Sequence, residues 1–289
     1  MPAKPRQDLT EQGRRAQAAA TGGLPLTQFD GTTPYEEYVH AGTLHGLQGM
    51  RTSQPGEMAF LVITQVMELY FGLICHELEV CQRYLRADRL EDAVVTLRRT
   101  AGHLEALNAS WAGLRWMSPS DFHAFRDVLG QASGFQSFAY RKLEFLLGIK
   151  QRTMVRPHRS IPRAHRALLR ALKAPSVYDD ALAALSRRGY PGLDDMLGRD
   201  LAEEYVPSEA VETTWVTVYR DEPDHSPVRA LAEAMIEIAQ LFHDWRYRHL
   251  TAVRRTMGER PGSGGSAGAA WLERARPVFP ELWSARTLV

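Results

Sequence analysis

The sequence predicts an all-α protein, a helical bundle, and three features of the chain lead to this prediction. Long apolar runs without proline occur, apolar residues repeat at spacings of three and four, and a Ser-Pro-Ser-Asp segment marks a helix start. The sequence shows neither the alternation typical of strands nor an internal repeat. Helices with one apolar stripe bury it against each other, so a bundle is expected.

Composition narrows the class of protein further. The 289 residues are 44% hydrophobic and 24% charged, which suits one large helical domain or two modest ones. Lys plus Arg total 35 and Asp plus Glu total 34, so no charge excess points to nucleic acid or an anionic membrane. No uninterrupted apolar run reaches the roughly 20 residues that span a bilayer. With only two cysteines and no apolar leader, we expect a soluble cytoplasmic protein without a disulfide framework.

The chain is expected to form a flexible N-terminal segment and one helical domain. Residues 1–33 are polar and rich in Ala and Gly, and we interpret them as the flexible segment. Residues 34–289 are interpreted as a single all-helical domain, which begins with a short helix and loop. Within it, 151–227 is less regular and predicts small helices that cover the bundle.

Four helices are predicted in the first half of the domain. The apolar run from Glu57 is too long for a strand and broad enough to be buried on more than one side. A second pattern covers about Leu90 to Leu114. Ser118-Pro119-Ser120-Asp121 starts a third helix that Gly130 ends, and Phe135 to Leu147 predicts a fourth.

The clearest periodicity lies near the C-terminus. Short helical patterns over 162–173 and 177–188 precede it, and a Gly-rich loop follows it. Its apolar residues repeat alternately at three and four, as on one face of a long helix. The residues of this stripe are Val228, Leu231, Met235, Ile238, Phe242, Trp245, His249 and Ala252.

His249 is the most informative single residue, because it lies in register on this apolar stripe. A lone histidine on an apolar face is usually a core residue with a hydrogen-bonded ring. The alternative is an axial ligand to haem iron, held in an apolar slot between helices. Spacing alone does not decide between the two interpretations.

Arg126 presents a similar choice, since its predicted helix is otherwise aromatic on that side. A buried guanidinium needs an anion. The structural interpretation is an ion pair with Asp127 or Glu144. The functional interpretation is a bidentate clamp on a substrate carboxylate.

The Gly-rich loop at 262–268 nominally matches a dinucleotide fingerprint, but it follows a helix where that fingerprint requires a strand. It is either a flexible connector or a segment that closes over a bound substrate. No Cys/His cluster with zinc spacing, nucleophile elbow or paired di-iron motif occurs in the sequence.

Five segments of the chain resemble the tryptophan 2,3-dioxygenase family. They occur in the family's order and cover most of the chain from about Tyr35 to Val289, with the weakest likeness over 151–227. The RDVLG-x-x-SGFQS block and the arginine-flanked histidine of WRYRH are highly specific. The segments are EMAFLVITQVMELYF, FRDVLGQASGFQSFAYRKLEFLLG, WRYRHLTAVRRTMG, GSGGSAG and FPELWSARTLV.

The resemblance implies an all-helical homotetramer with one b-type haem per subunit and O₂ as co-substrate. By position, His249 resembles the iron ligand, Arg126 the arginine that holds the substrate carboxylate, and Phe60 the phenylalanine of the indole pocket. Ser263 stands where the family has a threonine at the amino-acid head group. Tyr35 and Tyr38 resemble tyrosines that an N-terminal segment lends to the neighbouring subunit's site. We further assign Ser133 and Gly262 to substrate binding, and Trp111 and Leu129 to haem binding.

The chain departs from the family at two positions. Thr64 stands where the family has a distal histidine, one turn beyond Phe60, and we expect it to face the pocket as a catalytic position beside His249. Threonine does not act as a base near neutral pH. Phe122 stands where the family has a tyrosine that helps to bind the carboxylate. Losing one hydrogen bond to a charged group costs about 1.5–3 kcal/mol. Both changes make the pocket larger and less polar.

The sequence therefore predicts a haem-dependent oxygenase of tryptophan or a methylated tryptophan, which cleaves the C2–C3 bond to an N-formylkynurenine-type product. One alternative is a monooxygenase of the same superfamily that gives a hydroxylated or 2-oxindole product. Another alternative is a sensor that binds haem and tryptophan but does not convert tryptophan to a product. Peroxide-dependent tyrosine hydroxylases attach haem through a cysteine after the ligand histidine, and no cysteine follows His249.

Overall fold

The computed structural model describes residues 9–274 and 276–289, and in that part of the chain all regular structure is helical. This confirms the all-α prediction. The chain divides into two compact units, Met1–Gly49 and Met50–Val289.

The N-terminal unit contains three short helices. One of them lies within the segment predicted as a flexible lead-in, because Thr10 accepts a hydrogen bond from the Gly13 N–H and alanine-rich sequence favours helix. Residues 1–8 of that predicted segment lie outside the described residues. The helices are α1 (Glu11–Ala20), α2 (Pro34–Val39) and α3 (Ala41–His45).

The second unit contains the remaining helices, three of which exceed 20 residues. They are α4 (Pro55–Arg86), α5 (Leu90–Ser110), α6 (Pro119–Arg126), α7 (Phe138–Leu146), α8 (Pro162–Lys173), α9 (Val177–Arg187), α10 (Asp194–Leu197), α11 (Glu209–Asp221), α12 (Pro227–Met257), α13 (Ala269–Leu272) and α14 (Pro280–Ser284). Short 3₁₀ turns occur at Trp111–Leu114, Asp127–Leu129, Gly134–Gln136, Arg152–His158 and Ala285–Thr287.

The core of this unit lies between its long helices. Helix α5 packs against both α4 and α12, and α4 also packs against α7 and α9. The predicted stripe of α12 is confirmed, because its apolar residues from Val228 to Trp245 are buried. His249 follows one turn later and is partly buried. The bundle thus brings the end of this stripe to the edge of the core.

Helix α6 has the start that the sequence predicts. The Ser118 hydroxyl accepts from the Asp121 N–H, and the Asp121 carboxylate accepts in return from the Ser118 N–H at 2.8 Å. This reciprocal capping box fixes the first turn. The segment ends at Gly130, whose φ of +57° suits a residue without a side chain.

The less regular segment 151–227 contains α8 and α9 at the two predicted places. It also contains α11, which the sequence analysis did not predict. The N-terminus of α11 lacks a side-chain cap, since Ser208 makes no capping hydrogen bond. Its buried residues include Trp215 and Val218, so tertiary packing defines this helix more than local signals do.

Helix α4 is long and apolar enough, by length and composition, to cross a membrane, although no unbroken apolar run of that length occurs. The qualifying window has a mean hydropathy of 1.8, and 22% of it is buried. Core helices of globular proteins meet the same criterion, and α4 packs against α5, α7 and α9. The buried carboxylate of Glu57 accepts hydrogen bonds from the Arg51 and Thr52 N–H groups at its start.

Candidate functional site

Two tryptophans surround His249 at the end of the α12 stripe. The Trp111 ring stacks on the imidazole, with ring centroids 5.5 Å apart and an interplanar angle of 18°. Trp245, one turn earlier on α12, has its ring centroid 5.4 Å away. Within the described residues, no protein group hydrogen-bonds to the imidazole of His249, and the buried Nε1 of Trp111 has no partner either. The arrangement differs from a core histidine whose ring is satisfied by hydrogen bonds.

Burial, together with the smaller effect of the positive charge of Arg141, lowers the pKa of His249 from 6.5 to about 4. The imidazole is therefore neutral at physiological pH and has a free lone pair, which is the form that binds a metal. No group of three or more His, Cys, Asp or Glu side chains gathers around a common point in the part of the chain that the structure describes.

A cleft of about 280 Å³ opens beside His249, between α7, α12 and the segment after α13. Its lining has four arginines and one carboxylate, that of Glu144, which forms an ion pair with Arg141. Arg246 donates to the Arg276 carbonyl at 2.7 Å, while its buried Nε has no partner. The four arginines are Arg141, Arg246, Arg274 and Arg276.

The chemistry of this region fits a haem. Its elements are a neutral imidazole, flat aromatic neighbours, and a cleft whose positive charge exceeds its negative charge. Haem has an apolar face and an iron that can bind a nitrogen ligand from the protein. It also has carboxylates, which guanidinium groups bind well. His249 and Trp111 were candidates from the sequence, whereas Arg141 and Arg246 were not, because nothing in their local sequence distinguishes them from other helical arginines.

Three phenylalanines form an aromatic cluster between α4 and α6. The Phe60 ring centroid lies 5.9 Å from that of Phe122 and 5.5 Å from that of Phe125. Phe122 and Phe125 are buried, and Leu129 and Met257 pack against the cluster. Leu129, which we assigned to haem binding, therefore lies with the aromatic cluster. Such a surface suits an aromatic ring.

Thr64 lies one turn beyond Phe60 on α4, as the sequence indicates. Its hydroxyl donates to the Phe60 carbonyl at 2.7 Å, and the residue is exposed. The hydroxyl proton is thus used within the helix, and only oxygen lone pairs remain for another partner.

Arg126 at the end of α6 contacts the chain just before the Gly-rich loop. Its Nη2 donates to the Pro261 carbonyl at 2.5 Å. Glu144 forms its ion pair with Arg141, so it does not serve as a partner of Arg126. Neither Glu144 nor Asp127 forms an ion pair with Arg126 among the described side chains. The fork keeps further N–H groups for an anion.

The Gly-rich loop forms a compact turn close to Ser133. The Gly262 N–H donates to the Ser266 carbonyl at 3.1 Å, and the Gly265 N–H donates to the Gly262 carbonyl at 3.0 Å. A Cβ on Gly264 would lie 2.8 Å from the Ser133 Cβ, so only glycine permits this approach. The structure thus brings Gly262, Ser133 and the partly buried Ser263 to one region near Arg126.

Tyr35 and Tyr38 lie on α2 in the N-terminal unit. Both side chains are exposed, at 67% and 75%.

Sequence comparison identifies similar proteins over most of the chain. The family model described as tryptophan 2,3-dioxygenase matches residues 22–218 and 208–289. The chain is 38% identical over 263 residues to the tryptophan 2,3-dioxygenase of Bacillus thuringiensis (strain Al Hakam), which covers 90% of this chain and 94% of that protein. It is 37% identical over 266 residues to that of Myxococcus xanthus (strain DK1622), covering 91% of each. It is also 37% identical over 261 residues to that of Burkholderia pseudomallei (strain 1106a), covering 90% of this chain and 85% of that protein.

Proposed function

Because the chain belongs to the tryptophan 2,3-dioxygenase family, we propose that it binds one b-type haem through His249 and oxygenates the indole ring of tryptophan or a methylated tryptophan. The chain is an oxygenase with tryptophan 2,3-dioxygenase-like function, and the proposed product is of the N-formylkynurenine type. The neutral, unbonded imidazole of His249 between Trp111 and Trp245 is the observation that carries the assignment of the haem site.

The residues around the cleft have distinct roles toward the haem. His249 would supply the nitrogen ligand to iron, and Trp111, which stacks on that imidazole, would help to hold the haem. Arg141 and Arg246 would meet the carboxylates of the porphyrin, since the cleft has more guanidinium than carboxylate groups. The bound haem supplies the iron at which O₂ reacts with the substrate.

Other side chains would hold the substrate. Arg126 would pair with the carboxylate of the amino acid, with Ser263 and Gly262 close to the same head group. Phe60 and Phe122 would pack against the indole ring. Because Thr64 is no base and its hydroxyl donates to its own helix, the contribution of the protein is mainly orientation of the ring.

A monooxygenase outcome is the second candidate, and the polarity of the pocket favours it. Phe122 brings no hydroxyl to the pocket, and the Thr64 proton is used by the Phe60 carbonyl. With fewer polar contacts, a partly oxidised substrate is held less firmly before a second oxygen is transferred.

Product mass separates these candidates directly. The haem-loaded protein would be reduced without oxygen and then mixed with ¹⁸O₂ and tryptophan, or with a 2- or 3-methylated tryptophan. Ring cleavage adds two labelled oxygens, whereas monooxygenation adds one. If the protein binds these compounds but forms no product, the result would contradict an enzymatic function and support a sensor.

The homotetramer, with Tyr35 and Tyr38 at a neighbouring subunit's site, is part of the same proposal. The second unit leaves large apolar side chains exposed on α4, at 38% for Met58, 62% for Leu69 and 38% for Leu73. Large apolar side chains left exposed on one helix suit an interface with another chain. A second copy of the chain is the partner that the proposal requires.

A further inference from the structure

Helix α6 holds the base of the Gly-rich loop at two adjacent points. Arg126 donates to the Pro261 carbonyl at 2.5 Å. One turn earlier on α6, the His123 Nε2 contacts the Nη1 of Arg260 within hydrogen-bonding distance. Both contacts join residues far apart in sequence, and together they hold two consecutive residues of the loop base against one face of a capped helix.

The donor and acceptor roles at His123 follow from its two partners. A guanidinium group only donates, so Nε2 must accept from Arg260. Nδ1 therefore carries the ring proton and donates to the Pro119 carbonyl at 2.6 Å. The imidazole is thus oriented by its own helix and presents a lone pair to the loop, and the neighbouring Phe122 ring packs against it edge-on.

The position of the loop base, at Arg260 and Pro261, determines the position of the middle of the loop. The Arg260 carbonyl approaches Gly268 so closely that a side chain there would collide with it, and Gly268 has a φ of +61°. The two ends of the loop therefore meet, while Gly264 at its tip abuts Ser133. Ser263 is only three residues from Arg260, so a shift of the base would move it.

We propose that His123 is a positioning residue, which with Arg260 clamps the base of the Gly-rich loop to α6 and so places Ser263 beside Arg126. Arg126 can still bind a carboxylate, because only one of its N–H groups donates to the Pro261 carbonyl and the other N–H groups of the guanidinium remain available. The effect of the clamp on substrate rests on the proposed function, whereas its effect on the loop does not.

Hydrogen exchange of the loop tests the clamp without substrate. In the haem-loaded protein, His123→Ala should speed exchange of the Gly262 and Gly265 amides about tenfold, since a hydrogen bond from a charged donor is lost. His123→Gln should restore slow exchange, because its amide oxygen can accept from Arg260. The exposed His225 on a distant loop provides the control His225→Ala, with exchange as in the parent protein. Unchanged exchange in His123→Ala, or no restoration by His123→Gln, would overturn the proposal.

Steady-state kinetics test whether the contact between His123 and Arg260 affects substrate binding. His123→Ala should raise KM for tryptophan about tenfold with kcat within about threefold, and His123→Gln should restore KM. A looser loop with an unchanged KM would refute the positioning role. If the parent protein turns over neither tryptophan nor a methylated tryptophan, the proposed function fails, and the exchange comparison still decides whether His123 holds the loop.

Discussion

His249, Arg126 and Thr64 show how the surroundings of a side chain decide what it can do. His249 is held neutral by burial and has no hydrogen-bond partner among the described residues, so its lone pair is available. Arg126 uses one N–H on Pro261 and keeps the rest of its fork. Thr64 uses its only proton on its own helix. His249 and Arg126 thus keep groups that a ligand could use, whereas Thr64 keeps only oxygen lone pairs.

Replacing Arg126 tests the carboxylate clamp. Arg126→Leu should raise KM for tryptophan by about 10- to 100-fold, because a charged hydrogen-bonded pair is lost. The KM of Arg126→Lys should lie between those of the parent protein and Arg126→Leu, since lysine keeps the positive charge but not the planar guanidinium group. The control is Arg98→Leu, at an exposed position of α5, with KM unchanged. An unchanged KM in Arg126→Leu would show that the carboxylate binds elsewhere.

Removing the hydroxyl of Thr64 should have little effect. Thr64→Val keeps the side-chain shape, and we expect kcat within about twofold of the parent and the same product mass, because the hydroxyl proton already serves the helix. Thr217→Val is a matched control, since the Thr217 hydroxyl donates to the Thr213 carbonyl at 3.0 Å far from the site. A loss of activity beyond tenfold in Thr64→Val alone would give the hydroxyl a role in the reaction.

Single elements were predictable where local chemistry defines them. The capping box of Ser118 and Asp121 and the stripe of α12 could be recognised from sequence, because both depend on residues within a few positions of each other. Helix α11 was missed although Ser208, a residue type common at helix starts, precedes it, because its burial depends on distant partners. The contact of Arg126 with Pro261 spans 135 positions and has no local signal.

The exposed apolar face of α4 leads to a prediction about assembly. The parent protein should have the mass of four chains of 32.5 kDa in light scattering. Leu69→Glu should reduce that mass, because a buried charge at an interface is costly. Val95→Glu, at a 58% exposed position of α5, is the control and should leave the mass unchanged. A Leu69→Glu protein of unchanged mass would place the interface on another face.

At the scale of the whole molecule, the all-α fold class predicted from the sequence was correct. Most candidate site residues follow from the family resemblance rather than from the spacing of residues. Spacing placed His249 on a buried stripe but left its role open. The N-terminal unit, Met1–Gly49, contains Tyr35 and Tyr38, whose role at a neighbouring site stays a prediction, as does the cytoplasmic location. Such roles depend on other chains and on the cell, and a single sequence carries little physical signal for either.

Two buried thiols should make global stability fall in alkaline solution. Burial raises the pKa of Cys75 and of Cys81 from 9.0 to about 12. Between pH 9 and 12 the unfolded chain therefore loses protons that the folded chain keeps, so the free energy of unfolding decreases as pH rises. Each thiol should remove about 1.4 kcal/mol between pH 8 and pH 10.

Urea unfolding of the parent and of a Cys75→Ala/Cys81→Ala variant at both pH values checks this prediction. Tyrosines with raised pKa act equally in both proteins and cancel in the comparison. The variant should lose about 3 kcal/mol less than the parent on going from pH 8 to pH 10. Equal losses in the two proteins would mean that the thiols do not contribute.

Haem titration of a matched pair of histidine variants tests the central claim most directly. His249 and His243 lie on the same helix, and His243 is exposed. We expect the parent protein and His243→Ala to bind one haem per chain with the same Soret band. His249→Ala should lose tight binding or show a shifted band, and added imidazole should restore the parent spectrum. A normal, stoichiometric Soret band in His249→Ala would contradict the account.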